Sequence, residues 1–302
     1  MRLNIRNILA YGYAKLLYIN GRIDKAVKEG LSGKHILSIY FHNPEKGLFE
    51  KCIKWLKRKG YKFLSVDELI QIRDGLIEFP KGGVIVTVDD GWKENIPNIV
   101  MISKVESIPV TIFITAEPLK TMNSYWWSYV KKAIQLKIQV QSIEELKKID
   151  NSKRIKIINE LRSKIIIEKQ SMTITELKEI NKYNTISIGS HTVSHPILTK
   201  CSDLESSNEI KYSKEELEEL IEKPIKYFAY PNGNYGLREI EILKKNGYTA
   251  AFSTITDYLT QSNLDKTFQY PRFEIVENVS FAENICRITG VWFKKQLKIK
   301  YL

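Results

Sequence analysis

Short apolar runs rich in β-branched and aromatic residues recur along this chain, each separated from the next by a polar or amphipathic stretch. They read HILSIYFH (35–42), GGVIVTVDD (82–90), VTIFIT (110–115), ISIGSH (186–191), IKYFAYP (225–231), YTAAFST (248–254) and YPRFEI (270–275). Apolarity that is continuous rather than alternating implies burial on both faces, the condition of parallel strands covered by helices. The stretches between them supply those helices. In LFEKCIKWLKRKGY (48–61), Leu48, Cys52, Trp55 and Leu56 fall at helical spacing, and EELEELI and LREIEILKKNGY follow the same logic. Repeated strand–helix units in 302 residues predict an α/β fold: a distorted (β/α) barrel of about seven parallel strands.

One stretch interrupts the alternation. Residues 117–182 are rich in Lys, Ile and Glu, include SYWWSYVKKAI, and read as a helical insertion over one face. The expected organisation is an N-terminal helical segment (1–34), a barrel domain (35–276) carrying that insertion, and a basic C-terminal tail (277–302). The apolar residues of MRLNIRNILAYGYAKLLYINGR are broken by Asn4, Arg6, Asn7 and Lys15, so no secretory signal is expected. Two readings of residues 1–30 stand. Leu3, Ile5, Ile8, Leu9, Leu16 and Leu17 with Arg2, Arg6 and Lys15 would make an interfacial helix in peripheral contact with an anionic membrane. Alternatively the segment packs on the barrel and closes its open side. Cys52, Cys201 and Cys286 are too few and too scattered for a disulfide framework or a zinc knuckle, so a reducing, cytoplasmic setting is expected. The net charge of +12 favours anionic partners, but the lysines are scattered rather than clustered with aromatics, which argues against a nucleic-acid interface.

Barrel enzymes work at the C-terminal ends of their strands. Here those ends carry His42, Asp89-Asp90-Gly91, His191, the AYPNGNY turn and Arg272. Each alone has a structural explanation; their convergence at one rim does not. In His191-x-x-x-His195-Pro196, the proline disfavours a helical His195 and suits the first turn of a following helix. That predicts His191 at a strand end and His195 at a helix entry. Two imidazoles and the Asp90 carboxylate form a set that leaves positions open for water and substrate, as catalytic divalent metals require. The adjacent Asp89 is then free to act as a base.

With those residues in view, the chain resembles the NodB-homology polysaccharide deacetylases, the family-four carbohydrate esterases. VTVDDGW resembles their Thr-Phe-Asp-Asp-Gly motif and SHTVSHP their His-(Ser/Thr)-x-x-His-Pro motif. YFAYPNGNY is similar to the third motif of the Phe-Ala-Tyr-Pro branch; ILSIYFHNPE and SYWWSYV resemble further features of it. The resemblance covers roughly residues 35–276. It implies a barrel with fewer than eight strands and a metal, Zn²⁺ foremost with Co²⁺ or another divalent cation as alternatives, held by Asp90, His191 and His195. Asp89 would be the general base, and the backbone N–H of Tyr230 would hold the oxyanion. The substrate implied is an N-acetylated sugar of a glycan, glycolipid or precursor, deacetylated at a linear amide. An O-acetyl esterase and a non-catalytic carbohydrate-binding relic remain as alternatives.

Two departures from the family pattern matter. Ala229 stands where many members carry an arginine that orients the catalytic aspartate, and Arg272 is expected to replace it from a neighbouring strand. No histidine follows His195, so the usual leaving-group acid is missing, and His42 is the expected substitute. His35, at the opposite end of the His42 strand, is expected to be structural. Trp126 and Trp127 read either as a sugar-stacking platform or as a helix packed on the barrel. Trp92 and Pro231, inside the motifs, complete the expected substrate contacts.

Overall fold

The apolar runs become strands in a computed structural model that describes residues 4–293. They are β1 (Leu37–Phe41), β2 (Lys62–Leu64), β3 (Gly83–Val88), β4 (Val110–Ile114), β5 (Ile186–Ser190), β6 (Tyr227–Ala229), β7 (Ala250–Phe252) and β8 (Phe273–Glu274). Every pairing is parallel, in the order β7-β6-β5-β4-β3-β1-β8. The sheet curls until one segment touches both of its ends. Tyr270 bridges in parallel to Phe252, while Phe273 and Glu274 pair with Ile39 and Tyr40. The result is the distorted barrel that the alternation predicts, with seven strands along its path. The short β2 lies off that path, against the first half of β3, whose second half pairs with β4. It has no counterpart among the expected strands, because Lys-Phe-Leu is brief and only partly buried.

Strand alternation sorts the side chains. Leu37, Ile39, Phe41, Val84, Val86 and Val88 join the outer layer with Phe49, Cys52 and Leu56 of the helix Lys46–Arg58. Ile36, Ile85, Phe113, Ala229 and Phe252 form a second, inner cluster. Asp89 continues the register of Ile85 and Thr87, so the same alternation that fills the barrel carries Asp89 into its mouth. On β5, Gly189 lies on that inner face: a Cβ there would come within 2.5 Å of the Phe113 ring, so only glycine leaves room for it. His191 is two residues on, in the same register.

Helix starts follow local chemistry. Ser65, Ser142, Thr173 and Ser202 each open a capping box with the glutamate three residues later. The insertion forms helices Trp126–Gln135, Ile143–Leu146 and Asn151–Lys164 around its own small core of Trp126, Tyr129, Val130, Leu146, Ile158 and Leu161. The N-terminal helix Ile5–Ile19 packs on the helix Phe281–Ile288. Of the expected basic tail, residues up to Phe293 thus belong to the packed structure; Lys294 to Leu302, like Arg2 and Leu3, lie outside the described residues. The three cysteines are buried free thiols. Among the described residues no helix is long and apolar enough to cross a membrane.

Candidate active site

Three buried ligand-type side chains meet at the strand ends. His191 Nε2 lies 3.6 Å and His195 Nε2 3.5 Å from Asp90 Oδ1. The polypeptide is bent sharply to achieve this: φ is +79° at Asp90, +84° at Gly91, +69° at Thr192 and +55° at His195. Non-glycine residues rarely adopt such conformations, and they persist at functional sites where surrounding contacts over-determine them. Gly91 is required twice over, by its φ and because a Cβ would stand 2.7 Å from Ile114 Cδ1. The Asp90 carbonyl accepts from Tyr125 Oη at 3.1 Å and from Thr115 N at 3.2 Å. The Thr192–His195 loop is held by Glu209 of the helix Asp203–Ile221, which accepts from Val193 N and Ser194 N at 2.9 Å each and from Ser194 Oγ at 2.6 Å.

These residues fit a divalent metal. Asp90 Oδ1 is buried and has no hydrogen-bond partner, while Asp90 Oδ2 accepts from Trp92 Nε1 at 2.8 Å. His191 Nδ1 donates to the Ala229 carbonyl at 2.7 Å, which leaves the Nε2 lone pair facing Asp90. Burial pushes both imidazoles down towards the neutral, ligating form. For His191 the two aspartates oppose that effect; His195 falls further, with the repulsion of His191 and Arg154 added. A tetrahedral ion with bonds of about 2.0–2.2 Å sets its ligand atoms roughly 3.3–3.6 Å apart, close to the two histidine–Asp90 distances, and all three ligand atoms lie within 4.8 Å of one another.

Asp89 is orientated separately. Arg272, wholly buried, donates from Nη1 to Asp89 Oδ1 at 2.7 Å and from Nη2 to Asp89 Oδ2 at 2.8 Å. Its other donors reach Thr87 Oγ1 and the Ser253 carbonyl at 3.0 Å each, and its guanidinium lies 4.3 Å from the Tyr40 ring centroid. Burial alone would push the Asp89 carboxyl up. The Arg272 charge and hydrogen bonds outweigh it and hold that carboxyl below the usual carboxylate range. Asp89 is therefore an ionised acceptor beside the ligand cluster.

The two carboxylates and both imidazoles open onto a cavity of about 550 Å³. His42 lines it with its Nδ1 4.0 Å from Glu274 Oε1, and so do Trp92, Trp126, Trp127 and Asn232. The aromatic wall is fixed from behind. Trp127 stacks on Tyr125 with centroids 4.8 Å apart and meets the His195 ring edge-on at 4.5 Å. Trp126 is buried and donates from Nε1 to the His195 carbonyl at 3.0 Å, where Arg154 Nη1 also donates at 3.3 Å. Trp126 is thus both cavity wall and packing element. His35 is buried against Tyr258 at the other end of β1.

Three expectations need correction. His195 does not enter a helix: it sits in a left-handed loop, Pro196 continues that loop, and a short 3₁₀ turn begins only at Leu198. The Tyr230 backbone N–H is spent on the Phe252 carbonyl at 3.0 Å in the β6–β7 ladder, and its hydroxyl on the Phe268 carbonyl at 3.0 Å; it is not available to an oxyanion. What this turn places on the cavity wall is Asn232. Pro231 is buried and does not line the cavity. Sequence reasoning also passed over Arg154, Tyr125 and Glu209, which hold the ligand-bearing loops. Only Tyr125 carried a local signal, its place beside the Trp pair.

Comparisons with known proteins agree with this geometry. Residues 77–251 match the family model described as polysaccharide deacetylase. Over 206 residues the chain is 21% identical to YxkH of Bacillus subtilis (strain 168), whose name places it in the same class; the match covers 68% of this chain and 57% of YxkH. The chain thus spans little more than half the length of that relative. The Streptococcus pyogenes deacetylase PplD, solved in complex with acetate, superposes with a TM-score of 0.61 at 19% identity, covering 84% of this chain and 98% of that one. IcaB from Ammonifex degensii gives 0.61 at 17%, covering 85% and 97%. At such identities the structural likeness speaks to the fold alone.

Proposed function

Because the chain belongs to the polysaccharide deacetylase family, we propose that it is a metal-dependent hydrolase that removes acetyl groups from an N-acetylated carbohydrate. One observation carries the reading: an unpartnered buried carboxylate oxygen, Asp90 Oδ1, stands between two imidazole nitrogens and beside a second carboxylate locked by an arginine. Asp90, His191 and His195 would hold the ion, with Zn²⁺ favoured by a donor set of two imidazoles and one carboxylate. When bound, the ion supplies electrophilic activation of the acetyl carbonyl and acidification of water.

The remaining steps belong to this chain's own side chains. Asp89, kept ionised and aimed by Arg272, takes the proton of the attacking water. An amine is a poor leaving group and needs a proton; His42, with Glu274 beside its Nδ1, is the cavity's candidate donor. Asn232, the residue of the β6 turn that lines this cavity, is our candidate donor to the developing oxyanion, although its amide also donates to Asn234 Oδ1 at 2.6 Å. Trp92, Trp126 and Trp127 offer apolar faces against which a sugar ring can rest.

The absence of any histidine after His195 favours a second reading, an O-acetyl esterase, since an alkoxide leaves with less help from an acid. Acetate release decides between them. The protein, stripped by chelation and reloaded with Zn²⁺ or Co²⁺, is incubated with acetylated glucosamine oligomers and with acetylated xylan. Metal-restored release from the glucosamine oligomers is expected. Release from xylan alone would establish the esterase, and release from neither would leave the binding relic.

A further inference from the structure

The cavity beside the ligand cluster has two walls of unlike charge. The barrel side carries Asp89, Asp90 and Glu274; the insertion side carries Lys131 and Lys147. Both lysines reach the cavity by the same rule, that residues four apart share one face of a helix. On the helix Trp126–Gln135, Lys131 follows Trp127 by one turn. Lys147 caps the helix Ile143–Leu146 and follows Ile143 by one turn, its N–H donating to the Ile143 carbonyl at 3.0 Å. All four side chains line the cavity. Each insertion helix thus offers it an apolar side chain and then an ammonium. Trp127 meets the His195 ring at 4.5 Å. At ~1.5 Å rise per residue, Lys131 starts roughly 6 Å further along that wall.

The charges on the barrel side already have partners. Asp89 is paired with Arg272, and Glu274 has His42 Nδ1 at 4.0 Å. Asp90 belongs to the ligand set. The insertion side differs. Lys131 is exposed and has no ion pair or hydrogen bond among the described residues. Lys147 Nζ lies 2.8 Å from Glu144 Oε1, but Glu144 is 73% exposed and does not line the cavity. A surface pair of this kind is weakly held, so an anion on a ligand can take its place. A neutral glycan would offer these two ammonium groups hydroxyls only.

We propose that Lys131 and Lys147 form a subsite for an anionic group, a carboxylate or a phosphate, carried beside the acetylated sugar. The substrate is then an acidic glycan or a phosphorylated sugar, and the insertion selects it by charge. The inference rests on the reading of this cavity as a carbohydrate deacetylase site.

Calorimetric titration of the full chain tests it with two matched pairs of probes. A hyaluronan tetrasaccharide, with a uronate beside each acetylated sugar, is compared with the neutral N-acetylglucosamine tetramer. N-acetylglucosamine 1-phosphate is compared with methyl N-acetylglucosaminide. Each is titrated into Zn²⁺-loaded and into chelated protein, because an anion held by the ion rather than by the lysines loses its advantage on chelation. The anionic member of at least one pair should bind about 10–10²-fold more tightly in both states. A preference in the first pair assigns an acidic glycan, and one in the second a phosphorylated sugar. Lys131→Met with Lys147→Met should erase the preference, and Lys131→Arg with Lys147→Arg should retain it, each with an unchanged circular dichroism melt. Equal affinities within both pairs, a preference that vanishes on chelation, or one that survives the methionine pair overturns the subsite and leaves the deacetylase reading standing. No binding of any probe, with no acetate released by the Zn²⁺-loaded protein, overturns the carbohydrate reading and the subsite with it.

Discussion

Replacing Arg272 by methionine should strongly destabilise the barrel mouth while leaving its volume nearly filled. The pair it breaks is entirely inside: Arg272 is wholly buried and Asp89 is 2% exposed. Two charges about 4 Å apart at an effective dielectric of ~20 attract by roughly 4 kcal/mol. Removing one partner of a buried pair typically costs about 3–5 kcal/mol, because the other charge is left in place. A domain holds only about 5–15 kcal/mol in total, so Arg272→Met should be folded but badly weakened. The decisive measurement is a double-mutant cycle by urea denaturation of the chelated protein, with Asp89→Asn as the second substitution. The amide no longer demands a cation, so the double variant should be more stable than the sum of the single losses predicts, by at least ~2 kcal/mol. It will not return to wild type, because the Thr87 and Ser253 acceptors and the Tyr40 ring still lose their donor. A coupling below about 0.5 kcal/mol would refute the reasoning, since sites that do not share an interaction add within that margin.

Other consequences follow from the same geometry. Trp92→Phe keeps the ring but removes the donor to Asp90 Oδ2, and should weaken Zn²⁺ binding by about 10–100-fold in calorimetric titration while Tm changes little. Gly91→Ala must place a Cβ against Ile114 at φ +84°, and should lower stability by about 1–3 kcal/mol or more; a thermal melt within 1 °C of wild type would contradict the close approach. His42→Ala should reduce kcat on an N-acetyl sugar far more than on an activated acetyl ester, whose leaving group needs no proton. Equal losses on both substrates would make His42 a positioning residue.

The barrel was legible because its strands are buried on both faces, and composition alone reports that. The β2 strand was not, since a three-residue strand with Lys62 exposed leaves no apolar signature. The clustering of Asp90, His191 and His195 was legible for a different reason: each ends a strand or follows one closely, and parallel topology gathers strand ends at one rim. The conformation of His195 was missed because its cause is remote. Pro196 does keep His195 out of the right-handed α region, but the left-handed turn depends on Glu209, fourteen residues further on in the next α-helix. The Tyr230 amide was misassigned for a related reason: whether a strand-end N–H is free or paired depends on how far the neighbouring strand extends, here to Phe252. Arg272 illustrates the opposite case. A buried strand offers an arginine no solvent, so its presence in YPRFEI already called for a carboxylate nearby.

Metal stoichiometry and turnover, measured together on three proteins, test the central claim most directly. The chain as it stands, Asp89→Asn and His195→Ala are each loaded with Zn²⁺, desalted, and assayed for bound zinc and for acetate release from acetylated glucosamine oligomers. The account predicts one zinc and activity in the first. In Asp89→Asn it predicts one zinc with activity lower by about 10²–10⁴-fold, and in His195→Ala little zinc and no activity. Zinc lost equally from Asp89→Asn and His195→Ala, or full activity in protein verified to hold no metal, would contradict it.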